Sequence, residues 1–163
     1  MALNDVLSTI VKRLHSLELW RDSLLEPTNS TCILRSDTGQ TFGDGVAAAV
    51  TFGVGTEIRD LDGLHSTALN TERITAVVAG VYVITGDVMW EGNGAGEREL
   101  ALYQNGPITL DLHSHLPGAT LCGMNVCAHA HLAVGDYIWM EATQTSGGDL
   151  DVLYARLGAT RIA

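Results

Sequence analysis

Two His-x-His units carry the residue types and spacing most suited to chemistry, His113-Ser114-His115 and His129-Ala130-His131. On an extended strand, side chains two apart share a face, so each unit presents two imidazoles together, and imidazole is a common transition-metal ligand. The second unit is the better placed. Counting back from the turn at Gly135-Asp136, Val126, Ala128, Ala130 and Leu132 form a small apolar face, which leaves Cys127, His129 and His131 on the opposite one. The simpler reading of such a pair is polar packing at a partly wet surface, because His-x-His also arises by accident on strands.

The remaining reactive residue types organise less well. Asp60-Leu61-Asp62-Gly63 sets two carboxylates beside a glycine but lacks the later acidic ligands of a calcium loop, so an exposed turn is expected. Asp149 and Asp151 flank a glycine turn as solvated carboxylates. Asp87 shares a face with Val83 and Thr85 when counted against Tyr82, Ile84, Val88 and Trp90; it either pairs with an arginine or histidine or stays hydrated. Cys32, Cys122 and Cys127 are odd in number and lack a CxxC spacing, which fits reduced thiols. No G-x-S-x-G elbow, HExxH, glycine-rich phosphate loop opening a helix, or Cys-His-Asn signature occurs, so a non-enzymatic protein is expected.

Bulk properties exclude further classes. The 163 residues suffice for one domain and an appendage, and 46% hydrophobic content supplies a core. A net charge of −10 with nine Lys and Arg offers no basic surface for nucleic acid or an anionic membrane, so neither is expected as a partner. The first residues have neither a basic region nor an apolar stretch, so no secretion signal is expected and synthesis in the cytoplasm is inferred.

The elements that position these residues follow from periodicity. Leu3, Leu7, Ile10, Leu14, Leu17 and Leu24 recur at alternating spacings of four and three, which predicts a helix ending before Pro27 and a short coiled-coil seam over residues 1–26. Leucine at both inferred a positions disfavours a parallel dimer and suits a higher oligomer; a lone helix packed on its own domain is the alternative. Residues 27–45 are polar and punctuated by Pro, Ser, Thr, Asn and Gly, and read as a linker with at most one short strand. Beyond Gly45 short strands follow one another without helices: Val46 to Phe52, Arg73 to Val78, Gly80 to Trp90, Glu99 to Gln104, Ile108 to His115, Leu121 to Leu132, Tyr137 to Thr145 and Leu150 to Leu157. Residues 46–163 are therefore expected to form an all-β sandwich or barrel. The stretch from Arg73 to Gly106 anchors it, with a long strand to Trp90, a glycine-rich turn at Glu91 to Gly96, and a hairpin at Asn105-Gly106.

Ala79-Gly80-Val81-Tyr82 opening a long strand, Leu102-Tyr103-Gln104-Asn105-Gly106, Leu132-Ala133-Val134-Gly135-Asp136-Tyr137-Ile138-Trp139 and Val152-Leu153-Tyr154-Ala155-Arg156-Leu157 together resemble the ten-stranded jelly roll of complement first-component heads and tumour necrosis factor. The segments Asp62-Gly63-Leu64-His65, Asn70-Thr71-Glu72-Arg73-Ile74 and Gly96-Glu97-Arg98-Glu99-Leu100 look like the versions found in bacteriophage virion proteins. The resemblance implies a homotrimer with one sheet of each subunit around a threefold axis. Val83, Thr85, Asp87, Cys127, His129 and His131 would then face that axis, and His129 and His131 become candidate ligands for an axial metal ion; no other cofactor is expected. It also implies a virion structural protein, a capsid decoration or head-fibre trimer whose partners are the major capsid protein or another virion protein. The alternative is a tail-associated or soluble adhesin binding a receptor or host-surface glycan. The loops expected to meet a partner are Thr56 to Thr71, Glu91 to Arg98 and Gln144 to Asp149.

Overall fold

The computed structural model describes residues 30–117 and 119–163. The expected helix, with its seam at Leu3, Leu7, Ile10, Leu14, Leu17 and Leu24, lies outside the described residues.

Among the described residues eleven strands form the sandwich, three of them of three residues or fewer: β1 (Thr31–Ser36), β2 (Gln40–Phe42), β3 (Ala48–Ala49), β4 (Glu57–Asp60), β5 (Arg73–Thr75), β6 (Gly80–Trp90), β7 (Arg98–Gln104), β8 (Ile108–His115), β9 (Cys122–Leu132), β10 (Tyr137–Gln144) and β11 (Leu150–Arg161). One sheet runs β4-β1-β11-β6-β9 with β2 also on β11; the second runs β3-β10-β7-β8 with β5 also on β10. All strand pairings are antiparallel. The long strands alternate buried and open residues, as a sheet with one face on a core must. Tyr82, Ile84, Val88 and Trp90 of β6 and Met124, Val126, Ala130 and Leu132 of β9 meet Leu100, Leu102, Ile138, Met140 and Ala142 of the second sheet in the core. Phe42 packs edge-on against Trp90 at 5.4 Å between ring centroids.

Three expectations change. The segment 27–45 is no linker where it is described: from Ser30 on it belongs to the sandwich, because β1 lies between β4 and β11 and buries Cys32 and Leu34 completely. The head thus includes residues ahead of 46, and the described residues form eleven strands, not ten. Val46 to Phe52 shrinks to Ala48–Ala49, although Val50 and Phe52 remain core residues. The Asn105-Gly106 turn forms as expected, with φ of 49° and 89° at the two residues, the left-handed region that Asn and Gly enter most cheaply.

Ser30 and Ala163 lie at one end of the first sheet. The Arg161 amide donates to Ser30 O at 2.8 Å and the Val81 amide to Ala163 O at 2.8 Å. The loops Glu91 to Gly96 and Thr145 to Asp149 lie at the other end.

Candidate functional site

The open face of the β4-β1-β11-β6-β9 sheet gathers the residues singled out from the alternation of β6 and β9. Val83 is in register with His129, Thr85 with Cys127, Asp87 with Asn125 and Val81 with His131. Their strand neighbours Tyr82, Ile84, Val126 and Ala130 point into the core, so Thr85, Cys127, His129 and His131 are exposed, and Val83 and Asp87 half-buried. On the far side of β6 the rows continue through β11: Val83 faces Thr160, Thr85 faces Gly158, and Asp87 faces Arg156. Arg35 of β1 completes the last row opposite Arg156.

The result is a broad, mostly uncharged surface with one charged corner. There, Arg35 lies over the Tyr154 ring at 5.3 Å and pairs with Asp37 at 3.0 Å. A cavity of about 220 Å³ is lined by Ile33, Arg35, Ile58, Tyr154 and Arg156. Burial pushes the Asp87 carboxyl up from the usual carboxylate range, against the opposing pull of Arg156 and a hydrogen bond from Tyr154. Asp87 therefore already has its arginine within its own subunit. Sequence reasoning missed Ile33, Arg35, Tyr154 and Arg156, because strand alternation reports which face a residue takes but not which strand lies beside it.

The exposed edge of β9 is latched by side chains from the other sheet. The Cys127 amide donates to Asp111 Oδ2 at 2.8 Å, Gln104 Nε2 donates to His131 O at 3.4 Å, and His113 Nδ1 lies 3.2 Å from Asn125 O. These contacts occupy groups that would otherwise template another strand, so the edge is blunted and the face stays open. His113 and His115, the first His-x-His unit, sit edge to face at 6.3 Å on β8 and share no site with His129 and His131. Among the described residues of one subunit, no three His, Cys, Asp or Glu side chains converge to hold a metal.

The loops expected to meet a partner are partly structural. Glu91 to Arg98 and Gln144 to Asp149 are bonded to each other, through the Glu97 amide on Thr145 Oγ1 at 2.9 Å and the Thr145 amide on Glu97 O at 3.0 Å. Arg98 is fully buried: its two Nη groups donate to the carbonyls of Asn93, Ala95 and Glu97, and its guanidinium lies 5.9 Å from the Trp90 ring. Gln144 is fully buried too, donating to Phe42 O and Gly148 O and accepting the Ser146 amide. In Thr56 to Thr71, Asp60 spends both carboxylate oxygens on the amides of Leu64 and His65, and Ser30 Oγ donates to Asp62 at 2.5 Å. Asp60-Leu61-Asp62-Gly63 is thus the turn its sequence suggested. The His65 imidazole is enclosed between Glu57 and the Thr71 carbonyl.

The thiols differ sharply. Cys32 is pushed up to about 12 by burial and the nearby Asp60 and Glu57; Cys122 is raised by burial against the pull of Arg98. Cys127 alone of the three is exposed.

Known proteins were compared at three levels. No family model and no curated protein matches the chain. Solved structures do match in fold. The globular domain of zebrafish complement 1qA protein superposes with a TM-score of 0.61 at 20% identity, covering 82% of this chain and 98% of that one. Murine APRIL at pH 8.0 superposes with a TM-score of 0.59 at 14% identity, covering 81% and 99%; the pH 5.0 structure gives 0.58 at 15%. At these identities the likeness establishes the jelly-roll fold and nothing finer.

Proposed function

We propose that the chain is a non-enzymatic, homotrimeric head that associates through the open face of the β4-β1-β11-β6-β9 sheet. The observation that carries this is the continuous surface of Val81, Val83, Thr85, Cys127, His129 and His131 on two long neighbouring strands, β6 and β9, with no carboxylate among them. A large sheet face lacking strong charges suits burial against copies of itself. The fold likeness and the threefold packing implied by the sequence resemblance support the same arrangement.

The finer reading places the trimer on a bacteriophage particle, as a capsid decoration or head-fibre protein made in the host cytoplasm and bound to the major capsid protein. Its support is the resemblance of the Asp62 to His65, Asn70 to Ile74 and Gly96 to Leu100 segments to virion proteins. A tail-associated or soluble adhesin is the second reading, favoured by the aromatic shelf described below.

Light scattering of the full chain tests the core of the proposal. A mass of three subunits is expected; a monomer at micromolar concentration overturns it. Dialysis against EDTA is expected to leave that mass unchanged, with His129 and His131 packing about the axis as polar side chains. Dissociation by the chelator would instead identify an axial metal held by these residues.

A further inference from the structure

The outer face of the second sheet carries a feature that trimer formation does not use. Tyr103 of β7 and Trp139 of β10 are cross-strand neighbours and stack at 5.0 Å with 25° between their planes. Arg73 of β5 is in register with Trp139 on its other side and lies 4.4 Å from the centroid of the Tyr137 ring. Arg73 Nε pairs with Glu72 at 3.1 Å. Ala49, Glu72, Arg73, Gly106, Tyr137 and Trp139 line a cavity of about 290 Å³. The aromatic rings are held in place by strand pairing and stacking, so the shelf exists before any ligand arrives.

We propose that this cavity binds one ring of an uncharged pyranoside, its C–H face on the Trp139 indole and its hydroxyls on Glu72 and Arg73. The chemistry of the rim selects that class. A sugar hydroxyl both donates and accepts, and an adjacent carboxylate and guanidinium supply one acceptor and one fork of donors for a vicinal pair. Aromatic faces take the apolar side of the ring and exclude water from these bonds. A quaternary ammonium would find the Tyr137 face already occupied by Arg73. An acidic sugar would meet Glu72 and, further along the same face, Glu99 and Glu141, on a chain of net charge −10. A proline-rich peptide offers carbonyl acceptors for Arg73 but few N–H donors for Glu72. The cavity volume matches one sugar ring with water at its rim, so affinity is expected in the millimolar range for a monosaccharide. The site lies on the sheet opposite the proposed interface, so it stands whether or not the trimer belongs to a particle.

The test is a nuclear magnetic resonance titration of the full chain with methyl glucoside, methyl galactoside and N-acetylglucosamine, beside N-acetylneuraminic acid, choline and a proline-rich decapeptide. At least one neutral pyranoside is expected to give saturable shifts at the Trp139 indole N–H and the Gly106 amide. Ala49→Trp, which fills the cavity from β3, is expected to abolish them, and Glu72→Gln to weaken binding about tenfold. No saturable shift from any of the three neutral sugars overturns the proposal. So does binding unchanged in both variants, or saturation by the acidic sugar, choline or the peptide alone. Since the trimer mass is read separately, failure here leaves the proposed interface untouched.

Discussion

Val83→Lys tests the association face at its centre. Val83 lies on β6 between Thr160 and His129, while its neighbours Tyr82 and Ile84 are fully buried on the core side. In a single subunit the lysine stem can lie along the open face with its ammonium in water, so folding should be nearly unaffected. In the trimer three ammonium groups would leave water near the axis. The nearest carboxylate on the same strand face, Asp87, is a full four residues along β6 and already faces Arg156. An unpaired buried ion costs several kcal/mol after relaxation; at about 3 kcal/mol per copy the trimer loses about 9 kcal/mol. That is about six orders of magnitude in the association constant, which for a three-body equilibrium raises the midpoint concentration about a thousandfold, so a nanomolar trimer becomes monomeric below about micromolar concentration. Light scattering and sedimentation should show one-subunit mass for Val83→Lys with a wild-type circular dichroism spectrum. Val134→Lys, in an exposed turn, should remain assembled. A Val83→Lys protein that stays trimeric over the same concentration range refutes the assignment of this face.

Thiol labelling reads the same face by a second route: Cys32 and Cys122 should stay unreactive in the native chain, and Cys127 should react rapidly in Val83→Lys but slowly in the wild type. Equal Cys127 rates in the two proteins would contradict burial of β9 on association. Arg98→Met should lower stability in urea by about 2–4 kcal/mol, because three backbone carbonyls lose charge-assisted bonds while the desolvation of the guanidinium is relieved; an unchanged midpoint would contradict its role as the tie between Trp90 and the Asn93 to Glu97 turn. Asp87 is raised in the folded state, so it binds its proton more tightly there and stability falls as pH rises from the unfolded carboxylate value through the raised one. Asp87→Asn should flatten the pH profile in that window and be at least as stable as wild type above it; a mutant with the same slope would place the titration elsewhere. Asp136 has the opposite sign, held below the usual range by the Ala133 amide and the Asn105 side chain, so Asp136→Asn should lose stability relative to wild type above that lowered value and match it in stronger acid.

What the sequence disclosed was the geometry that repeats every two residues. The faces of β6 and β9, and hence the company of Val83 with His129, could be counted from alternation because those strands are long and one face is unbroken core. The Asn105-Gly106 hairpin was legible because the backbone conformation demands those residue types. Lateral neighbours were not legible. Thr31–Ser36 reads as a short mixed run in a polar stretch, yet pairing with β11 near the far end of the chain makes it an inner strand. Arg98 has the composition of an exposed loop residue and is buried because three local carbonyls and Trp90 enclose it. The shelf draws Arg73, Tyr103, Tyr137 and Trp139 from three strands whose adjacency no local pattern announces.

Charge is divided between the two sheets in a way that decides which of them can face an axis. Glu99 and Glu141 lie on the outer side of the β3-β10-β7-β8 sheet, with Glu72 beside Arg73 at its margin, and burial with these two neighbouring carboxylates raises the Tyr103 phenol. Three copies of that face brought together would set like charges against one another and strand them without water. The β4-β1-β11-β6-β9 face has its carboxylate, Asp87, opposed by Arg156, and its central rows are valine, threonine, glycine, cysteine and histidine. Small side chains let subunits approach closely. The proposed association would therefore be specified as much by what repels on one sheet as by what packs on the other. It follows that Thr143→Glu, which adds a carboxylate beside Glu99 on the outer sheet, should leave the trimer intact, whereas Thr85→Glu on the inner sheet should dissolve it. Dissociation by Thr143→Glu instead would mean that the two sheets have been assigned the wrong way round.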